Sequence, residues 1–120
     1  MTTIVLISHS NDIAQGTKQL IQQMAGNVNV VAKGGLKDGT IGTSFDDINH
    51  VLNELNDDAL CFYDIGSSEM NLDMAIEMYA GDYQISKVDA PIVEGSFTAA
   101  VKLSVGGSLE DAVQEVKLNF

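Results

Sequence analysis

Ile4-Val5-Leu6-Ile7-Ser8-His9-Ser10-Asn11-Asp12 decides how the rest of the chain is read. Four consecutive apolar, mostly β-branched residues suit a strand buried on both faces, as in the middle of a parallel sheet. The chain then turns polar at once, and Ser10, Asn11 and Asp12 are residue types that start helices. Beyond them Ile13, Gly16, Thr17, Leu20, Ile21 and Met24 recur at i, i+3, i+4, i+7, i+8 and i+11. That spacing predicts a helix with those residues facing inward and Gly26 as its stop. The result is a strand, a short polar turn holding a histidine, and a helix.

The same unit returns along the chain. Val28–Ala32 reads as a second strand, followed by a loop from Lys33 to Ser44 with four glycines in twelve residues. Ser44 and Asp47 resemble a capping box, so a helix follows with Phe45, Ile48, Val51, Leu52 and Leu55 inward. Ala59–Tyr63 is a third strand and exits into Asp64-Ile65-Gly66-Ser67-Ser68. A helix from about Glu69 to Ala80 follows, closed by Gly81. Gln84–Val88 is a fourth strand, and Asp89-Ala90-Pro91 turns into a helix with Phe97, Ala100, Val101 and Ser104 inward. Ser108 with Asp111 opens a last helix, with Leu109, Ala112, Val113, Val116 and Phe120 inward. Strands alternating with helices predict an α/β fold, an open and mainly parallel sheet with helices on both faces. In such sheets ligands gather at the strand carboxyl ends, where the strand order switches.

Composition bounds the rest. At 120 residues and 12.8 kDa, with 45% apolar and 19% charged residues, one domain over residues 1–120 is expected. Size scaling gives a folded surface of about 6,300 Å² against about 18,600 Å² for the extended chain, enough burial for a core without disulfides. The lone Cys61 makes no internal bridge and reads as an inert buried thiol, which fits a reducing cytoplasm. No apolar run approaches the length that crosses a bilayer, and the N-terminus lacks the basic segment of a signal peptide. Six Lys, no Arg and 17 acidic residues give a formal net charge of −11. Nucleic acid and anionic membranes are therefore poor partners. The acidic surface suits either basic partners or simple solubility. Arg is the usual bidentate phosphate clamp. Without it, a bound phosphoryl group has to rest on backbone N–H groups, helix N-termini and an occasional Lys.

His9 is the sharpest chemical candidate, because it leaves the first strand just before a helix at the ligand edge. A neutral imidazole nitrogen is a good nucleophile toward a phosphoryl group, and the phosphoramidate it forms can hand that group on. The neighbouring helix N-terminus offers donors for phosphoryl oxygens. The plainer reading is a polar loop histidine. Asp64 reaches His9 if the first and third strands are adjacent, and then fixes the ring tautomer; otherwise it caps the next helix. The glycines of residues 34–44 allow converging N–H groups, a weak signal alone. The loop is neither a P-loop nor a dinucleotide fingerprint, so no cofactor is expected. Thr43 and Ser44 add hydroxyls, with capping the plainer role for Ser44, and Gly66-Ser67-Ser68 offers a second helix N-terminus. His50 reads as solvated surface. Met70, Met74 and Met78 read as core, with an adaptable docking surface as the alternative. One Cys and two distant His are too few for a structural zinc site.

Several of these runs together resemble one family. They are Ser8-His9-Ser10, the run Gly34-Gly35-Leu36-Lys37-Asp38-Gly39-Thr40-Ile41-Gly42-Thr43-Ser44, Asp64-Ile65-Gly66-Ser67 followed by Met70-Asn71, and Asp89-Ala90-Pro91-Ile92-Val93-Glu94-Gly95. The family is the phosphotransferase subunit of the phosphoenolpyruvate-dependent dihydroxyacetone kinase, with the fold of the mannose-type IIA domains of the bacterial sugar phosphotransferase system. The resemblance implies that the histidine phosphocarrier protein HPr phosphorylates His9. It implies that His9 passes the group to ADP on the kinase nucleotide-binding subunit, and that the chain is a homodimer. It implies that Ser10, Gly34, Gly35, Asp38, Gly39, Gly42, Thr43, Ser44, Gly66 and Ser67 hold the phosphoryl group or a partner, the glycine loop docking the nucleotide-binding subunit. Two other functions fit the same edge: a mannose-type IIA domain serving sugar transport, and a non-catalytic phosphate- or nucleotide-binding module. An aspartyl-phosphate receiver fits poorly, since the first strand leads into His9 and not into an acidic cluster.

Overall fold

The computed structural model describes residues 1–120. Nine elements follow in order: β1 (Thr3–Ser8), α1 (Asn11–Met24), β2 (Val30–Gly34), α2 (Phe45–Asn53), β3 (Ala59–Tyr63), α3 (Gly66–Met78), β4 (Ile85–Lys87), α4 (Ile92–Ser104) and α5 (Leu109–Asn119). The four strands form one sheet in the order β2-β1-β3-β4, and every pairing is parallel. The fold is α/β, as expected, with β1 and β3 adjacent at the centre. Both central strands are buried along their whole length, which is why they are apolar without alternation. All four strand carboxyl ends share one edge. The chain leaves β1 for β2 on one side and then crosses to β3 on the other, so the β1/β3 gap is the topological switch point.

Period-two alternation sends Ile4, Leu6, Leu60 and Phe62 to one face, where they pack with Ile21 of α1, Ala99 and Leu103 of α4 and Val116 of α5. Val5, Ile7, Cys61 and Tyr63 point to the other face, against Ile48 and Leu52 of α2 and Leu72 and Ala75 of α3. The accessible surface of 6227 Å² matches the size expectation. Cys61 lies fully inside, and burial pushes its thiol up to about 12.

Several expectations shift. β2 starts and ends two residues later than predicted, because the turn Gly26-Asn27 extends to Val28, whose amide donates to the Ala25 carbonyl. β4 keeps only Ile85–Lys87. α3 begins at Gly66, three residues early, which brings Ser67 and Ser68 into its first turn. In α1 the buried residues are Ala14, Thr17 and Ile21, whereas Ile13, Leu20 and Met24 stay exposed. In α4 the core side is Gly95, Ser96, Ala99, Ala100 and Leu103, with Val101 exposed. Phe120 is also exposed. In both helices small residues face the sheet, where close approach favours them, and the larger apolar residues form a second, outer stripe. The methionines of α3 are exposed as well, so the core reading of that stripe fails. No helix is long and apolar enough to cross a membrane.

Candidate functional site

His9 follows β1 and Asp64 follows β3, so the pairing of Ile7 with Tyr63 sets the two side chains against each other at the switch point. The His9 Nδ1–H donates to Asp64 Oδ1 at 2.9 Å. That contact fixes the tautomer: Nδ1 carries the proton, and Nε2 keeps its lone pair. Nε2 faces the Ser67 hydroxyl in the first turn of α3. Both His9 and Asp64 side chains are mostly covered, at 14% exposure each.

Asp64 is the anchor of the site. Its Oδ1 accepts from His9 Nδ1, from the Ser68 hydroxyl at 2.7 Å and from the Ile65 amide at 2.7 Å. Its Oδ2 accepts from the Ser8 hydroxyl at 2.7 Å and the His9 amide at 2.9 Å. Burial pushes its carboxyl up, but hydrogen bonds from His9, Ser68, Ser8 and the His9 backbone outweigh that and hold it far below the usual carboxylate range. A carboxylate favoured in its ionised form therefore sits against the protonated ring nitrogen.

Ser8 and Ser68 are both fully buried. Ser8 also accepts from the Ser10 amide at 3.0 Å, so one hydroxyl ties the β1–α1 turn to Asp64. The sequence put Ser8 in the run that leaves the first strand and Ser68 at a helix N-terminus beside Asp64, but it did not show that both hydroxyls donate to that carboxylate. The available signal was a hydroxyl before His9 and another four residues after Asp64, spaced to fold back on that carboxylate.

The glycine loop backs the site. The Gly42 amide donates to the His9 carbonyl at 2.8 Å, and the Gly35 amide to the Ser8 carbonyl at 3.3 Å. Gly34 lies so close to the β1–α1 turn that a Cβ there would stand 2.4 Å from the Ser10 carbonyl oxygen. Asn71 of α3 donates to Thr43 Oγ1 at 2.9 Å, joining the loop to the helix that bears Ser67. Across the sheet edge, Lys87 of β4 grips the same helix through Glu69 at 2.6 Å and Asp73 at 2.7 Å.

Other expected residues take structural places. The Ser10 hydroxyl caps α1 by accepting from the Ile13 amide, and the Ser44 hydroxyl caps α2 by accepting from the Asp47 amide. Asp38 closes the loop tip on itself by accepting from the Thr40 amide and hydroxyl, and it touches neither His9 nor Asp64. Gly39 is also at that tip, with open space around it. Gly66 and Ser67 open α3, and their amides have no acceptor among the chain's hydrogen bonds. His50 is on the surface, as expected. No cluster of His, Cys, Asp and Glu converges as a metal cage. None of the surface grooves is lined by His9 or Asp64.

A histidine held by an ionised carboxylate on one nitrogen, with only a serine hydroxyl against the other, has the arrangement that nucleophilic transfer requires. The EIIA-man family model, the fructose IIA component of the phosphotransferase system (PTS), matches residues 3–113. The chain belongs to the EIIA-man family. It is 42% identical over 113 residues to "PTS-dependent dihydroxyacetone kinase, phosphotransferase subunit DhaM" of Lactococcus lactis, covering 93% of this chain and 89% of that one. Among solved structures, EF1359, a protein of unknown function, superposes with a TM-score of 0.87 at 31% identity, covering 98% of this chain and 95% of that one. The PTS component EIIA from Streptococcus agalactiae shares the fold, with a TM-score of 0.73 at 18% identity over 98% of this EIIA-man chain and 91% of its own.

Proposed function

We propose that this chain is the phosphoryl-carrier subunit of a phosphoenolpyruvate-dependent dihydroxyacetone kinase, with His9 as the carrier. HPr supplies the phosphoryl group, and ADP on the nucleotide-binding subunit takes it. The observation that carries this reading is the Nδ1–H contact to Asp64, which leaves Nε2 as the nucleophile at the sheet rim. The kinship with the Lactococcus lactis subunit supports the choice of kinase over sugar transport.

In the first step the Nε2 lone pair attacks phosphorus on the phosphohistidine of HPr. An N–P bond forms to His9 as the donor's N–P bond breaks, and the bonding pair returns to the donor ring. The His9 ring becomes cationic and Asp64 stabilises it through Nδ1–H. Ser67 releases Nε2 and donates to a phosphoryl oxygen, joined by the free amides of Gly66 and Ser67 at the α3 N-terminus. In the second step a terminal phosphate oxygen of ADP attacks the same phosphorus, the Nε2–P bond breaks and the lone pair returns to the ring. Each partner has to approach in line, which suits a carrier atom at a rim and not in a pocket.

Incubation with phosphoenolpyruvate, enzyme I and HPr is expected to leave an acid-labile, base-stable phosphate on residue 9. Addition of an ADP-loaded nucleotide-binding subunit is expected to discharge it. A His9→Ala chain that still relays phosphate at the parent rate overturns the reading, and discharge only to a membrane-associated IIB partner assigns the chain to sugar transport instead.

A further inference from the structure

We propose that the exposed methionine face of α3 is the docking strip for the phosphoryl donor protein, an inference that rests on the carrier role of His9 argued above. Ser67, Met70, Met74 and Met78 fall at i, i+3, i+7 and i+11, which is one face of a helix. Its first member touches His9 Nε2. Its other members are 68%, 50% and 64% exposed. The strip therefore starts at the reacting nitrogen and runs about 16 Å along the helix surface. The fold does not need these side chains, because α3 already buries Ser68, Leu72 and Ala75 against the sheet.

The apolar surface continues around the reacting nitrogen. Ile65, next to Asp64, is 64% exposed. Ile41, next to the glycine whose amide holds the His9 carbonyl, is 69% exposed. A protein that presents phosphorus in line to Nε2 has to cover this ground. Methionine is suited to it, since its unbranched, polarizable side chain adapts to a partner's shape.

Charge names the kind of partner. Glu77 flanks the strip along the helix, Glu69 and Asp73 being held by Lys87, and the whole chain carries 17 acidic residues, six Lys and no Arg. A complementary surface is an apolar patch within a basic rim, carrying its own phosphohistidine at the centre. Transient encounters of this type use small interfaces, and a strip of three methionines with two isoleucines is of that order. The glycine loop flanks His9 on its other side and is left for the acceptor.

The test uses the full chain with Met74 and Met78 both replaced, as the M74E/M78E double variant. Both positions are exposed on a helix that tolerates Glu, and neither touches His9 or Asp64. Phosphorylation of His9 is followed over a range of phospho-HPr concentrations. KM is expected to rise about tenfold or more with kcat nearly unchanged. The M74L/M78L variant is expected to recover most of the parent value. Phosphoramidate, a small donor that needs no docking, is expected to label parent and variant equally. A parent KM for phospho-HPr in the Glu variant overturns the strip while leaving the carrier role intact. A defect confined to discharge onto the ADP-loaded subunit overturns its assignment to the donor. Failure of both phosphoramidate and phospho-HPr to label residue 9 in the parent removes the carrier role, and the strip proposal with it.

Discussion

Asp64 is where single residues decide the chemistry, because five donors converge on its two oxygens. An Asn there keeps the shape but offers an amide nitrogen as readily as an oxygen, so the ring loses its enforced tautomer. Asp64→Asn is expected to slow phosphorylation of residue 9 by about a hundredfold or more, read in a rapid-quench assay. The same substitution has a signature in stability. A folded-state carboxyl held below its unfolded value stabilises the protein above the unfolded pKa, and that contribution fades as pH falls toward the depressed value. Urea titrations are therefore expected to show the parent losing stability from about pH 4 downward. The loss is smaller in Asp64→Asn, and an equal loss in both chains contradicts this account. Ser68→Ala removes one buried donor and is expected to cost about tenfold in transfer. His9 and Asp64 were legible from the sequence, since both are polar residues at the exits of apolar strands. The bonds from Ser8 and Ser68 to Asp64 were not, because a serine at the end of a strand or in a first helical turn has an ordinary local reason to be there. Only the closed hydrogen-bond set reveals the second one.

At the scale of elements, the glycine loop was legible as a loop with unusual backbone needs, but which glycine matters was not. Gly39 has a left-handed φ of 87° at the open tip. Gly34 has ordinary dihedral freedom and no space: a Cβ would meet Ser10 oxygen at 2.4 Å, Ser10 carbon at 2.7 Å and Asn11 Cα at 2.9 Å. All three are backbone atoms of the turn that carries His9, so they cannot swing aside. Gly34→Ala is expected to destabilise the chain by about 1–3 kcal/mol and to displace His9 from Asp64. Thermal unfolding and the phosphorylation rate read the two effects together, and a variant with both at parent values shows that the contact is slack. Helix faces were harder to read for a related reason. Amphipathic spacing in α1 marked Ile13, Leu20 and Met24 as inward along with Thr17 and Ile21, yet only the last two, joined by Ala14, hold the core. Hydropathy alone ranks a methionine above an alanine, while close packing of a helix on a sheet ranks them the other way.

Over the whole molecule, the alternation of strands and helices was enough to expect the parallel sheet. The adjacency of β1 and β3 needed the observed strand order, since the sequence carries no direct mark of it. The surface left over by that architecture bears on assembly. Leu20 and Met24 of α1 and Val101 of α4 are exposed, at 45%, 63% and 41%. With Val93 and Phe97 they form an apolar face opposite the α2–α3 side, distant in the fold from the methionine strip. We propose that self-association of the chain uses this face, since burying its apolar side chains favours contact while the net charge of −11 on each copy opposes it. This makes the two kinds of association respond to salt with opposite signs. Self-association brings like charges together, so screening strengthens it. Docking of a basic-rimmed donor joins opposite charges, so screening weakens it. Raising ionic strength from about 0.05 to 0.3 M is expected to lower the dimer dissociation constant in sedimentation equilibrium and to raise KM for phospho-HPr. Met24→Glu is expected to yield monomers at all salt concentrations while leaving phosphoramidate labelling unchanged. A dimer that persists in Met24→Glu, or weakens as salt rises, would move the interface away from the α1–α4 face.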